Sequence, residues 1–251
     1  MGPIFPLRFG ALLDWLYPPR CRFCKEIILD QDEKCFCDIC RKKIRLVSHP
    51  FCSTCGQPFL DASGGDHLCG DCLVRPPSFL SARAWACYPR GENDMHPLRH
   101  VVQQFKYGGR VSLGKPLGRL MARGCHEFFH GSPLECIVPV PLHPRRLRWR
   151  GFNQAVILAR EVSHLWGVPM DPFILLRSRE TPPQTQLPEG DRRKNVRGAF
   201  SLNPEKSVLE KRLLLIDDVY TSGATVKECS RTLIRVGAKE IYVLTLARTV
   251  S

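Results

Sequence analysis

Residues 213–226 read Leu-Leu-Leu-Ile-Asp-Asp-Val-Tyr-Thr-Ser-Gly-Ala-Thr-Val, and that order points to an α/β fold. The four-residue apolar run Leu213–Ile216 predicts a buried strand of the kind found inside parallel sheets. Asp217 and Asp218 follow at the strand's C-terminal end, the edge where open α/β sheets take their ligands. Thr221-Ser222-Gly223-Ala224-Thr225 leads straight into a helix expected over Thr225–Val236, with Val226, Cys229, Leu233 and Val236 inward and Gly237 ending it. Small residues let the backbone wrap closely around an anion, hydroxyls and main-chain N–H groups donate, and the helix N-terminus adds its dipole. Carboxylates beside such a nest suit a polyhydroxylated, Mg²⁺-bound phosphate ligand. A βα turn capped by its own hydroxyls would need neither the acidic pair nor the full loop.

Outward from this stretch, strands and helices alternate. Ser81–Tyr88, Cys136–Val140 and Ile241–Leu246 are expected strands, with a turn over Arg90–Asp94. Pro97–Tyr107, Ser112–Phe129 and Gly151–Trp166 are expected helices, the first ending at Gly108-Gly109 and the last at Gly167. The second carries Leu113, Leu117, Leu120, Met121 and Phe128 on one side, and the third carries Phe152, Ala155, Val156, Ala159, Val162 and Trp166. The alternation implies a parallel sheet flanked by helices.

The N-terminal part is different. Nine of the 13 cysteines lie between Cys21 and Cys72, eight of them in Cys-x-x-Cys pairs: Cys21/Cys24, Cys37/Cys40, Cys52/Cys55 and Cys69/Cys72. Each pair forms a knuckle with two thiolates, and two knuckles complete the tetrahedral shell that zinc prefers. The near-equal gaps from Cys24 to Cys37 and from Cys55 to Cys69 support two consecutive ribbons, although an interleaved pairing satisfies the same spacing. Cys35 is a spare thiol or an alternative to Cys37. Two structural zinc ions are expected, since four protein ligands leave no open position for catalysis. The scattered Cys87, Cys125, Cys136 and Cys229 read as small core residues.

The N-terminal residues lack the apolar core and cleavage site of a signal peptide, and no apolar run approaches a membrane span. Clustered thiols in such a chain fit metal binding in the reducing cytoplasm better than a secreted disulfide scaffold. Phe5–Trp15 is expected to form a short amphipathic helix, and Arg75-Pro76-Pro77-Ser78 a linker. The formal net charge of +13 implies an acidic partner, nucleic acid or polyphosphate. Two basic tracts carry much of this charge: Arg145, Arg146, Arg148 and Arg150 just after a strand end, and Arg192, Arg193, Lys194 and Arg197 in an expected loop. Either tract serves as a solvated face, an anion clamp or a nucleic-acid track. Trp149 and Phe152 are available for stacking on the last reading, though such aromatics are more often core.

Leu213–Thr225 resembles the motif by which type I phosphoribosyltransferases bind phosphoribosyl diphosphate (PRPP). A narrower resemblance covers nearly the whole chain. Pro139-Val-Pro-Leu-His-Pro-Arg145, Arg150-Gly-Phe-Asn-Gln154, Thr181-Pro-Pro-Gln184 and Arg192-x-x-Asn195-Val-x-Gly-Ala-Phe200 are similar to the competence protein F (ComF/GntX-like) family. Phe105-Lys-Tyr-Gly-Gly109 and the cysteine module belong to the same pattern.

The resemblance implies a type I phosphoribosyltransferase fold over residues 80–251, after an N-terminal helix within 1–20 and a double zinc ribbon over 21–75. It implies that Asp217 and Asp218 hold the ribose hydroxyls, and that Thr221, Ser222, Gly223, Ala224 and Thr225 hold the 5′-phosphate. Leu142–Arg145 becomes the pyrophosphate loop and Thr181–Asn195 a flexible hood. Arg145, Arg150, Lys106 and Arg192 are then candidate phosphate ligands, and His143 borders them. Three functions follow as expectations: a transferase using Mg²⁺·PRPP, a single-stranded-DNA-handling protein linked to DNA uptake and recombination proteins, or a PRPP-sensing regulator without catalysis.

Overall fold

The computed structural model describes residues 18–28, 35–61, 64–89, 95–181 and 189–250, with only the backbone described at 189, 190, 192 and 193. The helix expected over Phe5–Trp15, the turn over Arg90–Asp94 and Pro182–Gln184 of the hood lie outside these residues.

The cysteine module contributes two short helices, α1 (Asp38–Lys42) and α2 (Gly70–Val74), each beginning just after the first cysteine of a pair. The larger part follows as β1 (Ser81–Tyr88), α3 (Pro97–Tyr107), a 3₁₀ turn over Val111–Leu113, α4 (Gly114–Phe129) and β2 (Cys136–Pro139). It continues with α5 (Pro144–Arg150), α6 (Gln154–Trp166), β3 (Leu175–Arg177), α7 (Glu189–Val196) and β4 (Phe200–Leu202). It ends with β5 (Arg212–Tyr220), α8 (Ala224–Arg235) and β6 (Glu240–Thr249).

The main sheet runs β1-β6-β5-β2 and is parallel throughout. Leu213, Leu214, Leu215 and Ile216 are completely buried because β5 is central and both of its faces are covered. Successive side chains point to opposite faces. Leu214 and Ile216 join the helices α4 and α6 in one core, while Leu213 and Leu215 join α8 and the β3–β4 ribbon in another. Full burial of each such residue contributes roughly 1.5–3 kcal/mol.

The cysteine module lies along β1, the open edge of the sheet. Val47 N–H donates to Trp85 O at 3.1 Å, Cys87 N–H to Arg45 O at 2.8 Å, and Ala82 N–H to Thr54 O at 2.7 Å. These bonds satisfy backbone groups that an exposed edge strand would offer to another chain. Gly56 permits the approach: its φ is +71°, and a Cβ there would sit 2.3 Å from Ala82 O.

Several expectations are corrected. The helix expected from Gly151 begins at Gln154, because Gly151 (φ +80°) ends an unexpected helix, α5. The arginines at 145–150, just after the end of β2, therefore sit on a helix, and Arg145, expected in the pyrophosphate loop, lies in its first turn. Trp149 is 71% exposed rather than in the core. The basic tract at 192–197 was expected in a loop, but residues 192–196 belong to α7, whose end is tied down by Arg179 Nη2 donating to Asn195 O at 2.9 Å and Arg197 O at 2.7 Å. On α4, Phe129 joins Leu113, Leu117, Leu120 and Met121 in the main core, and Phe128 packs against that core from its edge, 5.6 Å from the Phe51 ring. Finally, β5 extends through Tyr220, so the acidic pair lies within the strand's last turn of pleat rather than after it.

Candidate functional site

A cleft opens at the C-terminal end of β5, beside β2. Asp217, Asp218, Thr221 and Thr225 line one wall, and Lys106, Arg146, Arg150, Gln154 and Arg177 line much of the rest. Each arrives for a local reason. Lys106 stands in the last turn of α3, where the helix dipole favours a cation. Arg150 ends α5, and its guanidinium lies 5.2 Å from the Tyr107 ring centroid. Gly151 then turns the chain, and Asn153 caps α6: its Oδ1 accepts from Ala155 N–H at 3.0 Å while its Nδ2 donates to Val140 O at 3.0 Å. That double anchor fixes the next side chain, Gln154, under the acidic pair.

Asp218 is 5% exposed, and both of its oxygens have protein partners. Lys106 Nζ pairs with its Oδ1 at 2.9 Å, and Gln154 Nε2 donates to its Oδ2 at 2.8 Å. Burial alone would push its carboxyl up, but Lys106 and Gln154 outweigh burial and hold it below the ordinary range. Asp217 differs. Its Oδ1 accepts from the Asp218 N–H at 2.8 Å. Burial, then the adjacent Asp218 charge, push its carboxyl up to about 7. The two carboxyls are thus pushed in opposite directions, Asp217 up and Asp218 down.

Beyond the pair, Tyr220 closes the strand and Gly223 takes a left-handed conformation, φ +71°, at the start of α8. Ser222 Oγ accepts from Ala224 N–H at 3.4 Å, and residues Thr221, Gly223, Ala224 and Thr225 surround a small hollow contiguous with the acidic pair.

Not every expected residue enters the cleft. Arg145 is exposed and pairs with Glu180 at 3.1 Å. His143 acts as the N-cap of α5, its Nδ1 accepting from Arg145 N–H at 3.4 Å. Arg192 lies on α7, and its side chain is outside the described residues. Conversely, Arg146, Gln154 and Arg177 line the cleft without having been singled out as ligands. Gln154 ends the Arg150-Gly-Phe-Asn-Gln154 stretch, and its place follows from the Asn153 cap. Arg177 had no local signal, because β3 is only three residues long.

Arg177 is 8% exposed, with Nη2 donating to Thr181 Oγ1 and its guanidinium 5.3 Å from the Phe200 ring centroid. Among the described residues, its Nε has no hydrogen-bond partner. Burial, then neighbouring Arg146, work against its charge.

The eight paired cysteines gather into two clusters, Cys21/Cys24/Cys37/Cys40 and Cys52/Cys55/Cys69/Cys72, the sulfurs of each within 4.8 Å of one another. Zn–S bonds of 2.3 Å in a tetrahedron place sulfurs about 3.8 Å apart. Cys24 and Cys37 sulfurs are 3.5 Å apart, and Cys55 and Cys69 sulfurs 3.7 Å. The donor sets therefore fit structural Zn²⁺. Cys35, completely buried, belongs to neither cluster.

Residues 149–250 match the phosphoribosyl transferase domain family, and residues 12–73 match the double zinc ribbon domain family. With the parallel sheet, these define a protein of the phosphoribosyltransferase fold carrying an N-terminal zinc-ribbon module. The chain belongs to the competence protein F family. It is 34% identical over 216 residues to competence protein F of Haemophilus influenzae, covering 84% of this chain and 90% of that one. It is 33% identical over 217 residues to DNA utilization protein YhgH of Salmonella typhimurium, covering 85% and 90%. Competence protein ComFC of Streptococcus pneumoniae is 24% identical over 228 residues, covering 90% and 93%. Among the described residues, no helix is long and apolar enough to cross a membrane.

Proposed function

We propose that the cleft binds Mg²⁺·PRPP and that the chain transfers the phosphoribosyl group to an acceptor, releasing pyrophosphate. The observation that carries this reading is the continuity of the Asp217–Asp218 pair with the Thr221–Thr225 nest, opposite the cations Lys106, Arg146, Arg150 and Arg177. The acidic pair accepts from the ribose hydroxyls, and Thr221, Ser222, Gly223, Ala224 and Thr225 hold the 5′-phosphate through hydroxyl and N–H donors. As the bond from the anomeric carbon to the pyrophosphate oxygen breaks, positive charge grows on the sugar and negative charge on the leaving group. Arg146, Arg150 and Arg177 stabilise the departing anion. Mg²⁺, when bound, neutralises part of the diphosphate charge. The acceptor's lone pair forms the new bond at the anomeric carbon, so no protein nucleophile is required and catalysis rests on positioning and electrostatics. Calorimetric titration with Mg²⁺·PRPP, followed by pyrophosphate release against a panel of bases, tests the reading. Absence of binding heat in zinc-loaded protein would overturn it, and binding with no release on any acceptor would reduce it to PRPP sensing.

A second reading is favoured by Trp149, which stands exposed on α5 among Arg145, Arg146 and Arg148, and by relatives named for competence and DNA utilization. An exposed aromatic beside cations suits stacking on single-stranded DNA. Binding of an oligonucleotide should then fall steeply with salt and weaken in Trp149→Ala. A flat salt response would remove this reading.

A further inference from the structure

Arg248, near the end of β6, is 6% exposed, and among the described residues no carboxylate pairs with it. Its guanidinium is directed at the second cysteine cluster. Nη1 donates to Cys55 O, Nη2 to Cys55 Sγ at 3.5 Å, and Nε and Nη2 to Gln57 Oε1 at 2.9 and 2.7 Å. The guanidinium carbon also lies 4.3 Å from the ring centroid of Tyr220, a 4% exposed residue. Tyr220 in turn packs beneath Gly223, where a Cβ would sit 2.3 Å from the phenol ring carbon. Direct contacts thus run from Cys55 through Arg248 and Tyr220 to the left-handed residue of the anion nest. A crevice between cluster and nest is lined by Cys55, Cys69, Tyr220, Ser222, Lys227 and Arg248.

A zinc ion held by four thiolates carries a formal charge of about −2. That shell is the counter-charge for buried Arg248, as outer partners of metal ligands commonly are. If the shell loses its metal, Cys55 is no longer fixed in place and the carbonyl and sulfur that hold the Arg248 fork are free to shift, which drives rearrangement around a buried cation. Tyr220 and the loop above it then lose their support. The first cluster is placed otherwise: Cys21, Cys37 and Cys40 pack in the core with α3 residues Leu98 and Val101, and Phe23 meets His100 edge-on at 5.5 Å.

We propose that the second zinc site and the Thr221–Thr225 nest are energetically coupled through Arg248 and Tyr220, so that metal in the second site, but not the first, strengthens phosphate binding. Arg248 is a positioning residue in this scheme, and the proposal rests on the reading of the nest as a phosphate site. Linkage makes the effect reciprocal: a ligand in the nest must retard loss of the second zinc.

The test follows zinc release from the full chain to a chromogenic chelator, with and without saturating ribose 5-phosphate, and measures binding of the same ligand by calorimetry. The expected result is that ribose 5-phosphate slows one zinc equivalent about fivefold or more and leaves the other unchanged. The slowed equivalent persists in the double variant Cys21→Ser, Cys24→Ser, which lacks a complete first site. Arg248→Lys, which keeps the charge but not the fork, loads two zinc ions and loses the retardation. Clear binding heat with both equivalents released at unchanged rates, or both slowed equally, would overturn the coupling while leaving the phosphate site intact. If zinc-loaded wild-type protein gives no binding heat, the phosphate-site reading falls and the coupling falls with it. Should Arg248→Lys fail to fold, the wild-type and double-variant measurements decide the matter.

Discussion

Lys106 Nζ lies 2.9 Å from Asp218 Oδ1, joining the end of α3 to the end of β5 inside the cleft. Both side chains are largely buried, and the pair divides the acidic couple into unequal halves. Lys106 is held protonated despite its burial because Asp218 outweighs the desolvation. Removing one member of such a pair leaves the other charge uncompensated. Lys106→Met is therefore expected to destabilise the protein by about 3–5 kcal/mol at pH 7, measured as a shift in urea midpoint. The double variant Lys106→Met, Asp218→Asn should recover much of that loss. No recovery would mean that the two charges do not act as a pair.

The two carboxyls predict opposite pH behaviour. Asp218 has a depressed folded pKa, so its contribution is present above the ordinary carboxylate range and is lost as pH falls through the depressed value. Asp217 has a folded pKa raised to about 7. The folded state then binds its proton more tightly than the unfolded state, and stability declines as pH rises from the ordinary carboxylate range through 7. Asp217→Asn should accordingly stabilise the ligand-free protein at pH 8, by at most on the order of 4 kcal/mol, and by almost nothing near pH 4. Asp218→Asn should destabilise it at pH 8. Urea titrations of both variants at the two pH values check the signs. Equal effects for the two aspartates would refute the division.

Gly223 is required twice, by its φ of +71° and by the Tyr220 ring beneath it. Gly223→Ala should cost about 1–2 kcal/mol from backbone strain alone, with a further cost because the nearest atoms belong to a buried ring rather than to a flexible chain end. Binding of ribose 5-phosphate should weaken more than the stability falls, since the added methyl displaces the nest itself. Retained affinity in a folded variant would show that the nest does not hold the phosphate.

How much of this was legible in the sequence depended on range. The strand, acidic pair, small-residue loop and helix at 213–235 are contiguous, so local pattern sufficed there. The cysteine knuckles were legible for the same reason, because spacing alone restricts their metal geometry. Helix α5 was hidden: its seven residues contain four arginines, none of the seven is buried, and an amphipathic period has nothing to register. The β3–β4 ribbon was hidden because Leu175–Arg177 and Phe200–Leu202 pair across a long separation. The partners of Arg248 lie 191 and 193 residues away in sequence, beyond any local rule.

Arg177 illustrates that last limit and yields the final prediction. It is buried against Phe200, its Nε unpartnered, and no carboxylate forms an ion pair with it among the described residues. A buried cation in that state opposes folding, yet it lines the cleft across from Asp217. Such an arrangement is expected where a charge is held ready for an anionic ligand. Arg177→Met preserves much of the packing against Phe200 and removes the desolvated charge, so the ligand-free protein should be as stable as wild type or more so. Its affinity for Mg²⁺·pyrophosphate should nevertheless fall about tenfold or more, as loss of a charge-assisted hydrogen bond worth about 1.5–3 kcal/mol requires. Arg177→Lys should restore part of the affinity, because it returns the charge without the planar fork. Calorimetry with Mg²⁺·pyrophosphate, paired with thermal unfolding of the same samples, separates the two effects. A destabilised Arg177→Met protein with unchanged pyrophosphate affinity would assign Arg177 to the core and not to the ligand.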